Sequence, residues 1–348
     1  MKAEYEYIDY PFVDKSGFIT YIRCKYLYYR KYIDRITTEA NIDMKKGTYL
    51  HSIYNEFYDR VNYDQLFKLD WESRPGMDEN AVYQYFISLL YEMVALALPD
   101  KHIELNIQAF AMYQTMRFYY ANFNNRGLRH KIHTSFFITP SNREVLDIYE
   151  PLKMYGKMDL IEEGENEINI QDYKTGDVPP KIVEGKYMDI ETICKDLPNR
   201  YVREGNFYAL LYLFTRKGYN VFKDLDGKWR FYKNGEISEK FGNLYYTFIF
   251  TGGIYNDRPT VFYCKKKYSI ASMRSILSKI EEIQTNEEWE REPNYYTCGL
   301  SWKNGPCELY LSECKGVVPD EVFRNLRREP SPAEENVLES GGSEEQYS

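Results

Sequence analysis

Apolar positions at Leu50, Ile53, Tyr54, Phe57 and Val61 recur at intervals of three and four residues, the spacing that turns one stripe of a helix toward a core. The pattern predicts a helix from near Gly47 to about Tyr63. Upstream, residues 16–36 (SGFITYIRCKYLYYRKYIDRI) read as a helix mixing aromatic and basic side chains. Residues 79–125 also look largely helical, with Pro99 breaking the run. After about residue 133 the character changes. Thr134 to Thr139 is β-branched and aromatic, and further strands are expected over 152–162 and 167–174, with Gly164-Glu165-Asn166 as the turn between them. A helix over 201–217 precedes strands around 228–233, 244–251 and 260–265, and another helix covers 270–286. Residues 293–316 form an irregular, cysteine-bearing segment. From Glu329 onward Pro, Ser, Gly and Glu dominate; such a segment cannot bury a core and reads as a disordered acidic tail. Helices flanking a mixed central sheet give an α/β, or α+β, class. The expected organisation is one domain over 1–328, with a helical region at 65–133 and the sheet at about 134–265, followed by the tail at 329–348.

Of the 348 residues, 43% are apolar and 28% charged, a globular balance with room for a substantial core. No segment has the 18 or so uninterrupted apolar residues that a membrane span needs; Ile87 to Pro99 comes nearest and contains Glu92. The start, MKAEYEYIDY, has acids and aromatics where a signal peptide has a basic start and an apolar stretch. A cytoplasmic, reducing setting follows, and there the six cysteines are core residues or metal ligands rather than disulfides.

The net charge of −8 argues at first against nucleic acid, but six of the glutamates lie in 329–348, leaving −2 elsewhere. Basic residues cluster at Arg23, Lys25, Arg30, Lys31 and Arg35, at Arg126, Arg129 and Lys131, at Lys265 to Lys267, and at Arg324, Arg327 and Arg328. A mildly acidic protein can still carry a basic groove. The 36 tyrosines could stack unpaired bases, although core packing accounts for most such residues.

The sharpest chemistry lies in the strand EINIQDYK. With a period of two, Ile168, Ile170, Asp172 and Lys174 share one face. A carboxylate and an ammonium thus end an apolar row, a costly placement unless they bind something. The preceding strand carries Gly156-Lys157-Met158-Asp159, and antiparallel pairing across a tight turn brings Asp159 beside Asp172. Two converging carboxylates suit Mg²⁺ or Mn²⁺, which prefer oxygen ligands. A lysine beside them suits phosphodiester hydrolysis, in which the metal polarises the phosphate and activates water.

With GKMDL followed by QDYKTG, thirteen residues from acid to acid, the sequence resembles the RecB-like nucleases of the PD-(D/E)XK superfamily. Their signature couples a Gly-x-x-Asp strand to one ending Asp-x-Lys-x-Gly, and GTYLH at 47–51 is similar to their helical Gly-x-x-x-His motif. The resemblance implies a restriction-endonuclease-like core. Asp159 and Asp172 would bind Mg²⁺ or Mn²⁺, Lys174 would be the catalytic lysine, His51 a further metal ligand, and the Tyr173 carbonyl another. It also implies a helix with a Gln-x-x-x-Tyr motif that positions DNA. Tyr208-Ala209-Leu210-Leu211-Tyr212 aligns with it, Tyr208 standing where the family has Gln and Tyr212 matching. The implied function is a DNA exonuclease or end-processing nuclease of recombination, repair or phage DNA metabolism, acting on single strands or free ends; the alternative is an inactive DNA-binding relative. Protein partners are not indicated.

Cys298, Cys307 and Cys314 fall close together in TCGLSWKNGPCELYLSEC, and Cys24 lies in the first helix. One N-terminal and three C-terminal cysteines resemble the iron–sulfur subgroup of these nucleases, which includes AddB-type and CRISPR-adaptation enzymes. In that subgroup four thiolates hold a [4Fe–4S] cluster. The gaps of eight and six residues differ from the family's spacing, and zinc also accepts four thiolates. Cys194 and Cys264 read as core or incidental.

Overall fold

The computed structural model describes residues 12–36, 42–69, 79–94, 100–123, 138–164, 167–179, 182–183, 197–286, 288–289, 291, 298, 307, 309 and 313–314. The expected turn residues Glu165 and Asn166, Cys194, the acidic tail, most of 293–316 and two of the basic clusters lie outside these, as does all but Ile138 and Thr139 of the expected strand at 134–139. The chain divides into two units: Met1–Ser16 with Glu39–Gln284, and Gly17–Thr38 with Thr285–Ser348.

The first unit holds a five-stranded sheet. Its strands are β1 (Arg143–Tyr149), β2 (Met154–Glu163), β3 (Ile168–Lys174), β7 (Leu244–Tyr255) and β8 (Arg258–Lys267), in the order β1-β2-β3-β7-β8. Only β3 and β7 run parallel, so the sheet is mixed and the fold is the α/β class expected. A second sheet, β4 (Asn220–Lys223), β5 (Trp229–Lys233) and β6 (Glu236–Ile237), forms a small meander. The β7–β8 hairpin turns through Asn256 and Asp257, both at positive φ (50° and 60°), as a twist-compatible two-residue turn requires.

Helices cover both faces of the large sheet. On one side pack α3 (Ile42–Arg60), α5 (Ala81–Val94) and α6 (Lys101–Phe123). Their Leu50, Tyr54, Phe57, Phe86 and Phe110 share a core with Leu160, Tyr173, Ile249 and Tyr263 of the strands. The short α4 (Tyr63–Leu66) follows α3. Asn80 Oδ1 accepts from the Val82 and Tyr83 amides and caps the start of α5, and Asp100 Oδ1 accepts from those of His102 and Ile103; the second cap starts α6 and divides the expected 79–125 run. On the other side lies α7 (Asn199–Lys217); the amphipathic α8 (Ile270–Thr285) bonds to the second sheet, through Arg274 to the Trp229 carbonyl and through Glu281 to Lys223. A sheet covered on both faces has strands buried along most of their length, as β3 is.

Two expectations change. Residues 16–36 do not form one helix: α1 (Lys15–Arg23) stops at Cys24, whose extended backbone (φ −160°, ψ 112°) caps α2 (Lys25–Tyr28), and a π-turn follows at Tyr29–Ile33. Strand β1, not anticipated, carries its polarity inside out. Arg143 and Asp147 are buried while Leu146 and Ile148 are exposed, because Asp147 pairs with Arg216 on α7 and Arg143 with Asp59 on α3. No helix among the described residues is long and apolar enough to cross a membrane.

Candidate active site

The β2–β3 hairpin builds the centre. Its ladder ends at the Leu160–Gln171 pair, and the next residues along the two strands are Asp159 and Asp172. Asp159 Oδ2 accepts the Tyr173 amide at 2.7 Å, and Asp159 Oδ1 lies 3.2 Å from His51 Nδ1. Helix α3 delivers His51 there because Gly47, one turn earlier, sits against Thr175; a Cβ at Gly47 would lie 3.2 Å from the Thr175 hydroxyl. A cleft lined by His51, Asn55, Tyr58, Arg143 and Asp159 opens beside this pair.

Side chains of β3 alternate as the pleat demands. Lys174 Nζ lies 2.5 Å from Asp172 Oδ2 and 2.8 Å from Glu204 Oε2 of α7. On the opposite face the Tyr173 hydroxyl meets the Tyr58 hydroxyl at 3.0 Å. Tyr58 belongs to a buried network: Arg117 of α6 bonds Glu162 at 2.5 Å and Gln114 at 2.9 Å, and Glu162 also accepts from Gln171. Asp172 and Lys174 thus stand on a strand whose other face is held by a fully bonded polar lattice, as buried polar groups require.

Helix α7 approaches β2 and β7 closely. A Cβ at Gly156 would come within 3.2 Å of Tyr208 and Leu211, and one at Gly205 within 2.4 Å of the Tyr246 ring. The Gly-x-x-Asp glycine therefore leaves room for α7, and α7 brings in Glu204 and Tyr208.

Two residues of the site were not anticipated. Lys15, at the start of α1, lies 3.5 Å from both Asp172 Oδ1 and Glu204 Oε2, and 5.4 Å from the centre of the Tyr208 ring. Glu204 completes the group. Tyr208 reaches the site, but Tyr212 does not: its hydroxyl bonds Glu163, four residues beyond Asp159 along β2. Glu204 and Tyr208 have the same spacing as the Gln-x-x-x-Tyr motif one turn earlier on α7, and it is this pair that lies beside Lys15 and Lys174. The signal was present in Glu204-Gly205-Asn206-Phe207-Tyr208; nothing local marks Lys15.

The charges shape one another. Burial works against the Asp172 carboxylate, but Lys15 and Lys174 reverse this and hold it well below the ordinary range, at about 2. Burial likewise opposes the charged form of His51, yet Asp159 raises it above its ordinary value. Burial also opposes the Lys15 ammonium, and Asp172, Tyr208 and Glu204 outweigh it and raise it.

The donor set suits a hard divalent cation: two or three carboxylates, an imidazole and a nearby backbone carbonyl. Asp172 Oδ2 is buried and has the Lys174 ammonium at 2.5 Å as its partner, and a carboxylate oxygen so placed retains a second lone pair for such an ion. Among the described residues, however, no three His, Cys, Asp or Glu side chains stand in ligating geometry. Here lysine ammonium groups lie among the carboxylates.

In the second unit the four cysteines gather from both chain segments. Cys314 packs with Tyr26, Leu27 and Leu309, and Cys24 and Cys307 border the same cluster. The Cys307 amide donates to the Cys298 carbonyl at 2.6 Å. Burial, with Cys298, Cys24 and Cys307 nearby, pushes the Cys314 thiol up to about 11. None of the four is in a disulfide. Arg30 and Tyr26 bond Glu313, next to Cys314, and Trp289 packs on Tyr21, Tyr28 and Tyr29. Cys264 is buried in β8.

The family model of the PD-(D/E)XK nuclease superfamily matches residues 16–191. That span includes His51, Asp159, Asp172, Tyr173 and Lys174 and ends before Glu204. No match was found among curated proteins.

Proposed function

The chain belongs to the PD-(D/E)XK nuclease superfamily, and on that basis we propose that it is an Mg²⁺- or Mn²⁺-dependent deoxyribonuclease of the RecB-like type. Its substrate is DNA with single strands or free ends, met in recombination, repair or phage DNA metabolism. The observation that carries this reading is the convergence of Asp159, Asp172 and Lys174, with His51 on Asp159.

Asp159 and Asp172 would hold the cation, with His51 and the Tyr173 carbonyl beside them. Bound there, a divalent metal supplies Lewis-acid polarisation of the phosphodiester and a more acidic water. Around it the residues have separate tasks. The Tyr173 amide fixes the rotamer of Asp159, so one carboxylate is oriented before substrate arrives. His51 holds the other oxygen of the same carboxylate. Lys174, anchored by Asp172 and Glu204, directs its ammonium at the attacking water or at charge growing on the phosphate. Tyr208, against β2, borders the path of the strand.

We infer also that Cys24, Cys298, Cys307 and Cys314 hold a [4Fe–4S] cluster, with zinc as the alternative. The meeting of Cys24, Cys307 and Cys314 in one cluster, with Cys298 near Cys314, supports it, and a cytoplasmic setting would keep them reduced.

The test is incubation of purified protein with end-labelled single- and double-stranded DNA, with Mg²⁺, with Mn²⁺ and with chelator. Metal-dependent cleavage is expected. DNA binding without cleavage under every condition would instead identify an inactive, DNA-binding relative.

A further inference from the structure

The superfamily motifs account for Asp159, Asp172, Lys174 and His51, but not for the charge at Glu204 or for Lys15. A glutamine at the Glu204 position would be neutral; glutamate places a further negative charge beside Asp172 in a site that excludes most water. Lys15 is its complement. Lys15 Nζ to Asp172 Oδ1 is 3.5 Å, Asp172 Oδ2 to Lys174 Nζ 2.5 Å, Lys174 Nζ to Glu204 Oε2 2.8 Å, and Glu204 Oε2 back to Lys15 Nζ 3.5 Å. Two acids and two ammonium groups alternate around a closed, electrically neutral ring. Each of the four side chains is at most about a fifth exposed, at 21, 8, 19 and 11%.

The position of Lys15 is fixed by the backbone. Two residues before it, Val13 donates to the Lys153 carbonyl at 2.7 Å and accepts the Tyr155 amide at 3.1 Å. This strand-like bridge beside Met154 ties the start of α1 to β2, the strand that carries Asp159. The side chain then crosses the face of Tyr208, a favourable seat for an ammonium.

A ring that is already neutral has no electrostatic need of a cation, and a cation bound by Asp172 competes with Lys15 for the same carboxylate. We propose that Lys15 is the resident counterion of the metal site, held by Asp172 and Glu204 and displaced when a divalent cation binds. Metal binding then includes the cost of expelling an ammonium, so the site loads only when the cation is abundant, and the freed Lys15 swings toward solvent. The inference rests on the metal-site reading of Asp159 and Asp172 and adds to it a competitor that the motif does not contain.

Two measurements on the full-length protein test it. In trace acetylation with acetic anhydride, read by mass spectrometry, saturating Mn²⁺ should raise modification of Lys15 roughly tenfold, the size of a competing equilibrium worth about 1.4 kcal/mol. Exposed Lys228 serves as the internal standard and should not change. In calorimetric titration with Mn²⁺, Lys15→Met should bind about tenfold tighter than wild type, whereas Asp172→Ala should lose binding. Unchanged or reduced acetylation of Lys15 with Mn²⁺ overturns the counterion proposal. If wild type binds Mn²⁺ and Asp172→Ala does not, the metal site itself still stands. Wild-type protein that binds no Mn²⁺ overturns both. The acetylation arm uses unmutated protein, so it decides the matter even if Lys15→Met does not fold.

Discussion

The backbone amide of Tyr173 donates to Asp159 Oδ2 at 2.7 Å, which ties the acid of β2 to the strand that carries Asp172 and Lys174. The same residue sends its side chain through the sheet to Tyr58. Tyr173 thus couples the acidic face to the polar lattice behind it, and its amide rather than its side chain orients the site.

Cleavage should depend on Asp172 and Lys174 in different ways. Asp172→Asn is expected to remove metal binding and cleavage, a loss of at least 10²–10³-fold in kcat by comparison with deletion of a single charge-stabilising group. Lys174→Ala should lose cleavage to a similar degree but keep Mn²⁺ binding. Steady-state rates paired with Mn²⁺ titration check both. Undiminished cleavage by Asp172→Asn would sink the assignment.

His51 makes stability depend on pH in the metal-free protein. Burial disfavours its charged form, Asp159 favours it, and the balance raises the folded value above 6.5. A raised value means that the charged pair stabilises fully below the unfolded value and is lost as pH rises through the folded one. In chelator, His51→Gln should therefore be less stable than wild type near about pH 6, with the gap closing at alkaline pH. Urea unfolding at the two ends checks it; a gap that widens with pH contradicts the assigned pairing.

The two tyrosines of α7 should separate cleanly. Tyr212→Phe loses its bond to Glu163 and should cost about 1 kcal/mol of stability without changing kcat. Tyr208→Phe, which removes the hydroxyl proposed to border the bound strand, should lower cleavage by roughly three- to tenfold, the worth of one hydrogen bond. The opposite result would restore the alignment on Tyr212.

Arg117 and Glu162 are 2% and 7% exposed, so removing one partner strands a buried charge. Arg117→Met should destabilise by about 3–5 kcal/mol, and adding Glu162→Leu should recover much of it. Denaturant midpoints of the single and double variants measure the difference; equal midpoints would mean that the pair carries no such penalty.

Protein prepared without oxygen should be brown and hold iron and sulfide in similar amounts. Cys24→Ser should lose the colour and melt several degrees lower. Linking Cys24 to Cys298 closes a loop worth on the order of 5–6 kcal/mol of unfolded-chain entropy as an upper bound, less whatever metal the unfolded thiols retain. Stoichiometric zinc in colourless protein would reassign the site, and an unaltered metal content in Cys24→Ser would refute the shared ligation.

What the sequence made legible was local. The acids of β2 and β3 stand thirteen residues apart across one turn, so period and turn chemistry sufficed to bring them together. Helix α3 was expected near Gly47 but starts at Ile42, since its exposed first turn adds no apolar stripe. Strand β1 escaped notice because it buries Arg143 and Asp147, whose partners lie on helices far along the chain. Cys24 broke a helix that propensity would have continued, and its Sγ accepts the Leu27 amide. Lys15 was invisible for the same reason as β1: a lone lysine acquires meaning only from Asp172, 157 positions away.

These separations order the assembly of the site in time. Asp159 meets the Tyr173 amide across a span of 14 residues, and Lys174 meets Glu204 across 30, whereas His51 reaches Asp159 across 108 and Lys15 reaches Asp172 across 157. Between the shortest and the longest of these, loop closure adds about 2 kcal/mol of entropic cost, and long-range contacts form late. The hairpin therefore brings its two acids together while the ammonium of Lys15 is still distant. On the proposed metal-site reading, a divalent ion present during that interval would meet the carboxylates before Lys15 does, so a chain folded in metal would load its site by a different route from the finished protein.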